Sequence, residues 1–155
     1  MKISTKSRYA LRIMIYLADH YRFGYISVKD ISEEENLSPK YVEHIMSKLL
    51  KAGLITALRG ARGGYRLAAS PSKYSVDNII KVMENYTSFT PCTNINSDGC
   101  PKSKECVAAD IWQLLQATVE ELFCNITLLD ILHMQQNKIN APSLYLTYLN
   151  HKKET

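Results

Sequence analysis

Between Ser27 and Leu67 the chain spells out two short helices and a hairpin, each with its own start and stop residues. Ser27 opens the first helix, with Asp30 three residues on to complete a capping box. It ends near Glu35-Asn36, where asparagine suits a left-handed cap. Ser38 caps the next helix, and Pro39 takes its first position, where a missing N–H costs nothing. Tyr41, Ile45 and Leu49 step by four along one face of it, and Gly53 stops it. Two strand-like runs follow, Leu54 to Leu58 and Gly64 to Ala68, around Arg59-Gly60-Ala61-Arg62-Gly63, whose glycines permit positive φ. A helix–turn–helix run directly into a hairpin is a winged helix.

The flanks extend this unit. Ser4 caps a first helix running to about Tyr21, with Leu11, Met14, Ile15 and Ala18 on its apolar face. Pro71 breaks the hairpin, and Ser75 caps a helix to about Glu84 with Ile79, Ile80 and Met83 apolar. After a Pro/Gly/Asn-rich loop, a long helix runs from about Ser103 to Cys124. Val107, Ile111, Leu114, Thr118 and Leu122 form its stripe, with Leu115 and Val119 beside it. That stripe spans roughly 20 residues, or ~30 Å, more than a small winged helix can cover, so it should pair with a partner chain. Thr127 and Asp130 cap a short helix, Leu128 to Leu132, and from Gln135 the tail is polar with little structure expected.

The expected fold is therefore mainly α with a small β-hairpin wing: a winged helix–turn–helix plus a long dimerisation helix. The expected divisions are 1–84 for the DNA-binding domain, 85–102 for a cysteine loop, 103–134 for the dimerisation and capping helices, and 135–155 for the tail.

Charge is distributed unevenly over the 155 residues. Residues 1–75 hold 13 Lys/Arg against 6 Asp/Glu, and residues 76–155 hold 6 against 9. A basic first half joined to a mildly acidic second half points to a polyanion partner for the first half only. The N-terminus has no apolar run after its charges, and no stretch approaches the ~20 apolar residues that span a bilayer. A cytoplasmic protein without a membrane partner is expected, and there disulfides are rare. An enzyme is not expected, nor a small-molecule substrate. There is no Ser/His/Asp arrangement, no carboxylate pair in a plausible cleft and no phosphate-cradling loop, since Gly60, Gly63 and Gly64 serve a hairpin.

Double-stranded DNA is the expected partner. In a helix–turn–helix the first turns of the second helix reach base edges while flanking cations hold phosphates. The exposed early positions are Ser38, Lys40, Tyr41, Glu43 and His44. A carboxylate facing DNA is unfavourable unless it accepts from a cytosine amino group, so Glu43 is either a base reader or an ordinary solvated helix charge. Arg59 and Arg62 at the slim wing tip suit a minor groove or adjacent phosphates, although a hairpin tip is also where solvated arginines gather. Tyr65 at the base of the wing completes the DNA-facing set.

Cys92, Cys100 and Cys106 sit in a loop with almost nothing to bury, whereas cysteine ordinarily seeks a core. Three soft ligands without a C-x-x-C knuckle argue against an ordinary structural zinc site and suit a cluster whose fourth ligand is another side chain. A reduced, unliganded loop is the plain alternative. Cys124, within the long helix, reads as a packed thiol, and His133 as a helix-surface residue.

The run Lys2 to Leu11, the wing segments Arg59-Gly60 and Gly63-Gly64-Tyr65, the three spaced cysteines and Asn125-Ile126-Thr127-Leu128 together resemble the Rrf-two type of bacterial transcription regulators. The likeness covers residues 1 to about 134 and is greatest to the branch named for the iron–sulfur cluster regulator IscR. It implies a homodimer with crossed long helices, each short C-terminal helix packing on the partner's winged domain. It also implies one two-iron, two-sulfur (2Fe-2S) cluster per subunit on Cys92, Cys100 and Cys106, whose occupancy alters operator choice. Glu43 takes the base-reading position and Arg59 the wing position.

Two residues depart from the pattern. The IscR branch has a histidine ligand where this chain has Ala109, and the nitric-oxide-sensing branch has an aspartate where this chain has Arg8. Asp110, one turn past Cys106, is the candidate fourth ligand, with His20, His133 or a partner's side chain as alternatives. The expected function is a dimeric transcriptional regulator sensing iron–sulfur or redox status. The alternative is a cluster-free regulator of cysteine or sulfur metabolism, controlled by a protein partner or by thiol oxidation.

Overall fold

A computed structural model describes residues 3–60, 63–84, 100 and 105–137. Its elements run α1 (Thr5–Asp19), α2 (Val28–Glu35), α3 (Pro39–Lys51), β1 (Ile55–Leu58), β2 (Gly64–Leu67), a 3-10 turn (Pro71–Lys73), α4 (Val76–Glu84), α5 (Val107–Cys124) and α6 (Leu128–Asn137). This is the mainly helical, two-stranded winged architecture that the punctuation residues call for.

The caps do what their chemistry allows. Ser4, Ser27 and Ser38 each accept from a backbone N–H in the first turn of their helix, and Ser27 with Asp30 forms a reciprocal capping box. Asn36 closes α2 at φ 53, and Gly53 at φ +73 turns the chain out of α3. Four antiparallel pairs, Ile55 with Leu67 through Leu58 with Gly64, build the wing. Tyr65 also exchanges backbone hydrogen bonds with Ile26, at 2.9 and 2.8 Å, which ties the wing to the residue leading into α2. Gly64 sits at φ +152 at that junction, and a Cβ there would lie 2.2 Å from the Ile26 carbonyl oxygen. No other residue fits that close approach.

The core gathers around α1. Ala10, Ile13, Met14, Leu17 and Ala18 are buried against Ile31 of α2, Val42, Ile45, Met46 and Leu49 of α3, Ile55 and Leu67 of the wing, Ile79 and Met83 of α4, and Leu128 of α6. The first helix was expected to bury Leu11 and Ile15, but these are only half-buried at its margin. Because elements pack around several sides of α1, its buried surface is wider than one stripe and centred on Ile13 and Leu17. Likewise α3 buries Val42 and Met46, while Tyr41 stays half-buried.

Three boundaries differ from expectation. Helix α1 ends at Asp19 rather than Tyr21, as turns closed by Tyr21 on Ala18 and Phe23 on His20 tighten the chain toward Gly24 at φ +96. Helix α5 begins at Val107 rather than Ser103, because Cys106 is its extended N-cap at φ −99, ψ 105. Helix α6 continues past Leu132 to Asn137, so Gln135 is helical and not the start of an unstructured tail. Within the single chain, α6 packs against its own winged domain. Leu128 fills the core, its N–H donates to Tyr74 O at 2.9 Å, and Val76 N–H donates to Ile126 O at 2.9 Å.

Within α5 only Ala109 is buried. Val107, Ile111 and Leu114 are 77%, 60% and 69% exposed, and Trp112 and Leu115 are exposed with them. The expected apolar stripe is therefore present and uncovered within one chain.

Candidate nucleic-acid interface and cysteine segment

The capped start of α3 presents Ser38, Lys40, Glu43 and His44 to solvent. Ser38 Oγ accepts from Tyr41 N–H at 3.3 Å, which fixes the first turn. Tyr41 differs from its neighbours. Its ring meets Tyr9 of α1 edge-on at 6.0 Å, so one side of it is held by packing. Across the wing, Arg59 is exposed beside Gly60 at φ +112, and the tip closes through Gly63 N–H donating to Gly60 O at 2.9 Å. Arg62 lies outside the described residues. Tyr65 is half-buried against the core.

The ion pairs found among the described residues are Arg12–Glu35, His20–Asp19, Lys29–Glu33 and Lys81–Asp77. Lys40, Glu43, His44 and Arg59 take part in none of these, so the face carries charges with no internal use. Two residues there escaped sequence reading. Tyr9 supports Tyr41, and Arg66 stacks its guanidinium on Tyr25 at 4.7 Å while remaining exposed. The signal for Arg66 was its cross-strand position opposite Thr56, on the face of β2 that alternation turns outward.

Cys92 lies outside the described residues. Cys100 is a free, exposed thiol, and Cys106 is a free, half-buried one that caps α5 without a side-chain hydrogen bond. Asp110 is exposed in the first turn of α5, four residues on and thus on the same face as Cys106. Ala109 is buried, which removes that position from any ligand set. No group of three or more His, Cys, Asp or Glu able to hold a metal forms among the described residues. The donors present, two free thiols and a carboxylate, are nevertheless chemically suited to iron. His20 and His133 stand elsewhere: His20 Nδ1 lies 2.9 Å from Tyr16 O on α1, and His133 is exposed on α6.

Cys124 corrects the expectation of a packed thiol. It is exposed at the end of α5, because α5 buries so little of itself against the chain. Local desolvation and the neighbouring Asp77 carboxylate push its thiol above the usual range.

One polar link joins the end of α4 to the start of α1. Glu84 accepts from Ser4 N–H at 2.7 Å and from the Ser7 hydroxyl, and Ser7 is fully buried. Partial burial works to raise the Glu84 pKa, but the hydrogen bonds from Ser7 and Ser4 prevail and hold it below the ordinary value. Glu84 is the last residue of α4, so this link fixes the end of that helix on the start of α1.

Comparison with known proteins agrees with this geometry. Residues 3–134 match the family model Rrf2, described as an iron-dependent transcriptional regulator. The chain is 33% identical over 143 residues to the HTH-type transcriptional regulator IscR of Aliivibrio salmonicida, covering 92% of this chain and 83% of the relative. Among solved structures, IscR of T. potens superposes with a TM-score of 0.71 at 32% identity, covering 96% of this chain and 97% of that one. CymR, the global cysteine regulator of B. subtilis, superposes with a TM-score of 0.69 at 37% identity, covering 84% and 95%. No helix among the described residues is long and apolar enough to cross a membrane. With its capped recognition helix, glycine-bounded wing and family match over residues 3–134, the chain belongs to the Rrf2 family of DNA-binding transcriptional regulators and is not an enzyme.

Proposed function

We propose that this Rrf2-family regulator is a cytoplasmic homodimer that reports iron–sulfur or redox status through one 2Fe-2S cluster per subunit. Cys92, Cys100 and Cys106 would hold the cluster, with Asp110 as fourth ligand. Residues 1–84 would engage DNA, 85–102 carry the cysteine loop, 103–137 carry the dimerisation helix and the short capping helix, and 138–155 be the tail. The observation that carries the reading is the state of Cys100 and Cys106. They are free thiols placed before and at the first turn of the helix whose apolar face is uncovered.

When bound, such a cluster supplies a redox-active and oxygen-labile crosslink between thiolates. The chain's own residues give that link its consequence. Cys106 fixes one ligand to the N-terminus of α5, while Cys92 and Cys100 belong to the loop. Glu84, through Ser4 and Ser7, holds the end of α4 to α1. Ordering the loop therefore ties α5 to the winged domain and biases the spacing of the two recognition helices. On DNA, Glu43 reads a base edge within the set Ser38, Lys40, Tyr41 and His44. Arg59, Arg62 and Tyr65 engage the backbone or minor groove.

A second reading has a specific observation in its favour. Ala109 is buried and non-ligating, and the solved cysteine regulator CymR is as similar to this chain as the solved IscR is. In that reading the protein is a cluster-free regulator of cysteine or sulfur metabolism, governed by a protein partner or by oxidation of these thiols. Anaerobic purification followed by iron and sulfide analysis separates the two. The cluster reading expects a brown protein with equimolar iron and sulfide that lose their colour in Cys92→Ala, Cys100→Ala or Cys106→Ala. A colourless, iron-free anaerobic protein that binds its operator normally sinks the cluster reading and leaves the second.

A further inference from the structure

The wing gains a third short edge from the chain just before α2. Ile26 and Tyr65 form an antiparallel bridge, exchanging backbone hydrogen bonds at 2.9 and 2.8 Å. Antiparallel register then sets Tyr25 opposite Arg66, and Arg66 is itself opposite Thr56 of β1. Directly opposed residues share a face of the sheet. The adjoining pair, Ile55 and Leu67, is buried, so alternation turns the row Tyr25, Arg66, Thr56 away from the core. Arg66 stands exposed in the middle of that row.

The Arg66 guanidinium lies over the Tyr25 ring, 4.7 Å from its centroid and within cation–π range. A guanidinium held by one flat face keeps its N–H edges free, and its planar fork matches two oxygens of a phosphate. Arg66 enters none of the ion pairs found among the described residues. No Asp or Glu occurs between Glu43 and Asp77, so neither strand of the wing offers it an anion. Thr56, across from Arg66, precedes Arg59 by three residues, which places Arg66 roughly 10 Å behind the wing tip. A minor groove is about 6 Å wide, and its walls are the two phosphate strands. A hairpin tip entering it brings the outer face of the wing up to one of them.

We propose that Arg66 is a DNA-phosphate contact on the outer face of the wing, with Tyr25 as its positioning residue. Tyr25 holds the guanidinium in place before DNA arrives, which lowers the ordering cost of the contact. The site rests on the DNA-binding reading and is independent of the cluster. It extends the footprint of the wing from the groove to the bordering strand and carries no base information.

The test is fluorescence anisotropy of a labelled duplex of mixed sequence, titrated with the full chain between about 50 and 200 mM salt. Arg66→Gln, at an exposed position, should flatten the slope of log affinity against log salt by about 0.9, the share of one phosphate. It should also weaken binding roughly tenfold at the lower salt. Tyr25→Ala removes no charge, so its slope should stay while affinity falls about two- to fivefold, the size of an exposed cation–π contact. Tyr25→Phe keeps the ring face and should bind like the wild type. In an Arg66→Gln background Tyr25→Ala should cost nothing further, whereas general damage to the wing would cost the same in both. An unchanged slope in Arg66→Gln overturns the contact. Equal costs of Tyr25→Ala with and without Arg66, or a loss in Tyr25→Phe matching that in Tyr25→Ala, overturn the positioning role. A wild-type chain that leaves the duplex unbound at every salt concentration removes the DNA-binding reading itself, a result distinct from any change among the variants.

Discussion

At the scale of the residue, two carboxylates have opposite relations to their surroundings. Glu43 is exposed at the start of α3 and enters none of the ion pairs found among the described residues. Facing DNA, it is tolerable where a cytosine amino group donates to it. Glu43→Ala should then relax discrimination at one base pair by ~1–3 kcal/mol while leaving the fold intact. Titration of the variant against single-base operator substitutions checks this, and an unaltered preference at every position excludes direct readout. Glu84 is instead held by Ser4 and Ser7, and its folded pKa lies below the ordinary 4.5. A depressed acid contributes stability that is complete above its unfolded pKa and lost as pH falls through its folded one. The advantage of the wild type over Glu84→Gln in urea midpoint should therefore be constant near neutrality and shrink below about pH 4.5. An advantage that persists unchanged under acid would mean the carboxylate charge is not what Ser4 and Ser7 recognise.

At the scale of the element, what could be read from sequence was punctuation, and what could not was the partner of each face. Ser4, Ser27, Ser38, Asn36 and Gly53 act locally, through their own backbone or the next turn, so their roles were legible without any tertiary knowledge. The buried faces of α1 and α3 were legible only in part, because a helix surrounded on several sides obeys no single stripe. Helix α6 is the clearest case. Thr127 and Asp130 announced its start, and Asp130 accepts from Thr127 N–H at 2.8 Å. Nothing in its sequence declared that Leu128 would enter the core of its own winged domain, which depends on the path of residues 85–127. The candidate DNA face was legible because solvated charges need no partner. The Arg12–Glu35 ion pair was not, since its two members lie on different helices. If Leu128 anchors α6, Leu128→Ala should cost about 2–5 kcal/mol, the usual range for emptying a fully buried leucine site. Chemical denaturation measures it, and a loss below 1 kcal/mol would show that α6 docks by its backbone bonds to Tyr74 instead.

At the scale of the whole molecule, one closed core gathers α1, α2, α3, the wing, α4 and Leu128 of α6, and α5 stands outside it. The winged domain and α6 satisfy each other, so α5 is left as a rod joining them with Ala109 as its single buried residue. Val107, Ile111, Leu114 and Leu115 together form an apolar surface with no counterpart among the described residues of the chain. Exposed apolar ridges of this kind mark association surfaces, and in the proposed homodimer this ridge would be the seam. The two roles of the chain are thereby separable by mutation. Ile111→Glu with Leu114→Glu changes no core side chain, so helicity and thermal unfolding of the winged domain should stay near wild type. Sedimentation should nevertheless shift from dimer to monomer, and affinity for a two-fold symmetric operator should fall much further than affinity for a single half-site. A variant that remains dimeric would move the interface off this ridge, and a wild-type chain already monomeric at micromolar concentration would remove the pairing from the DNA-binding mechanism altogether.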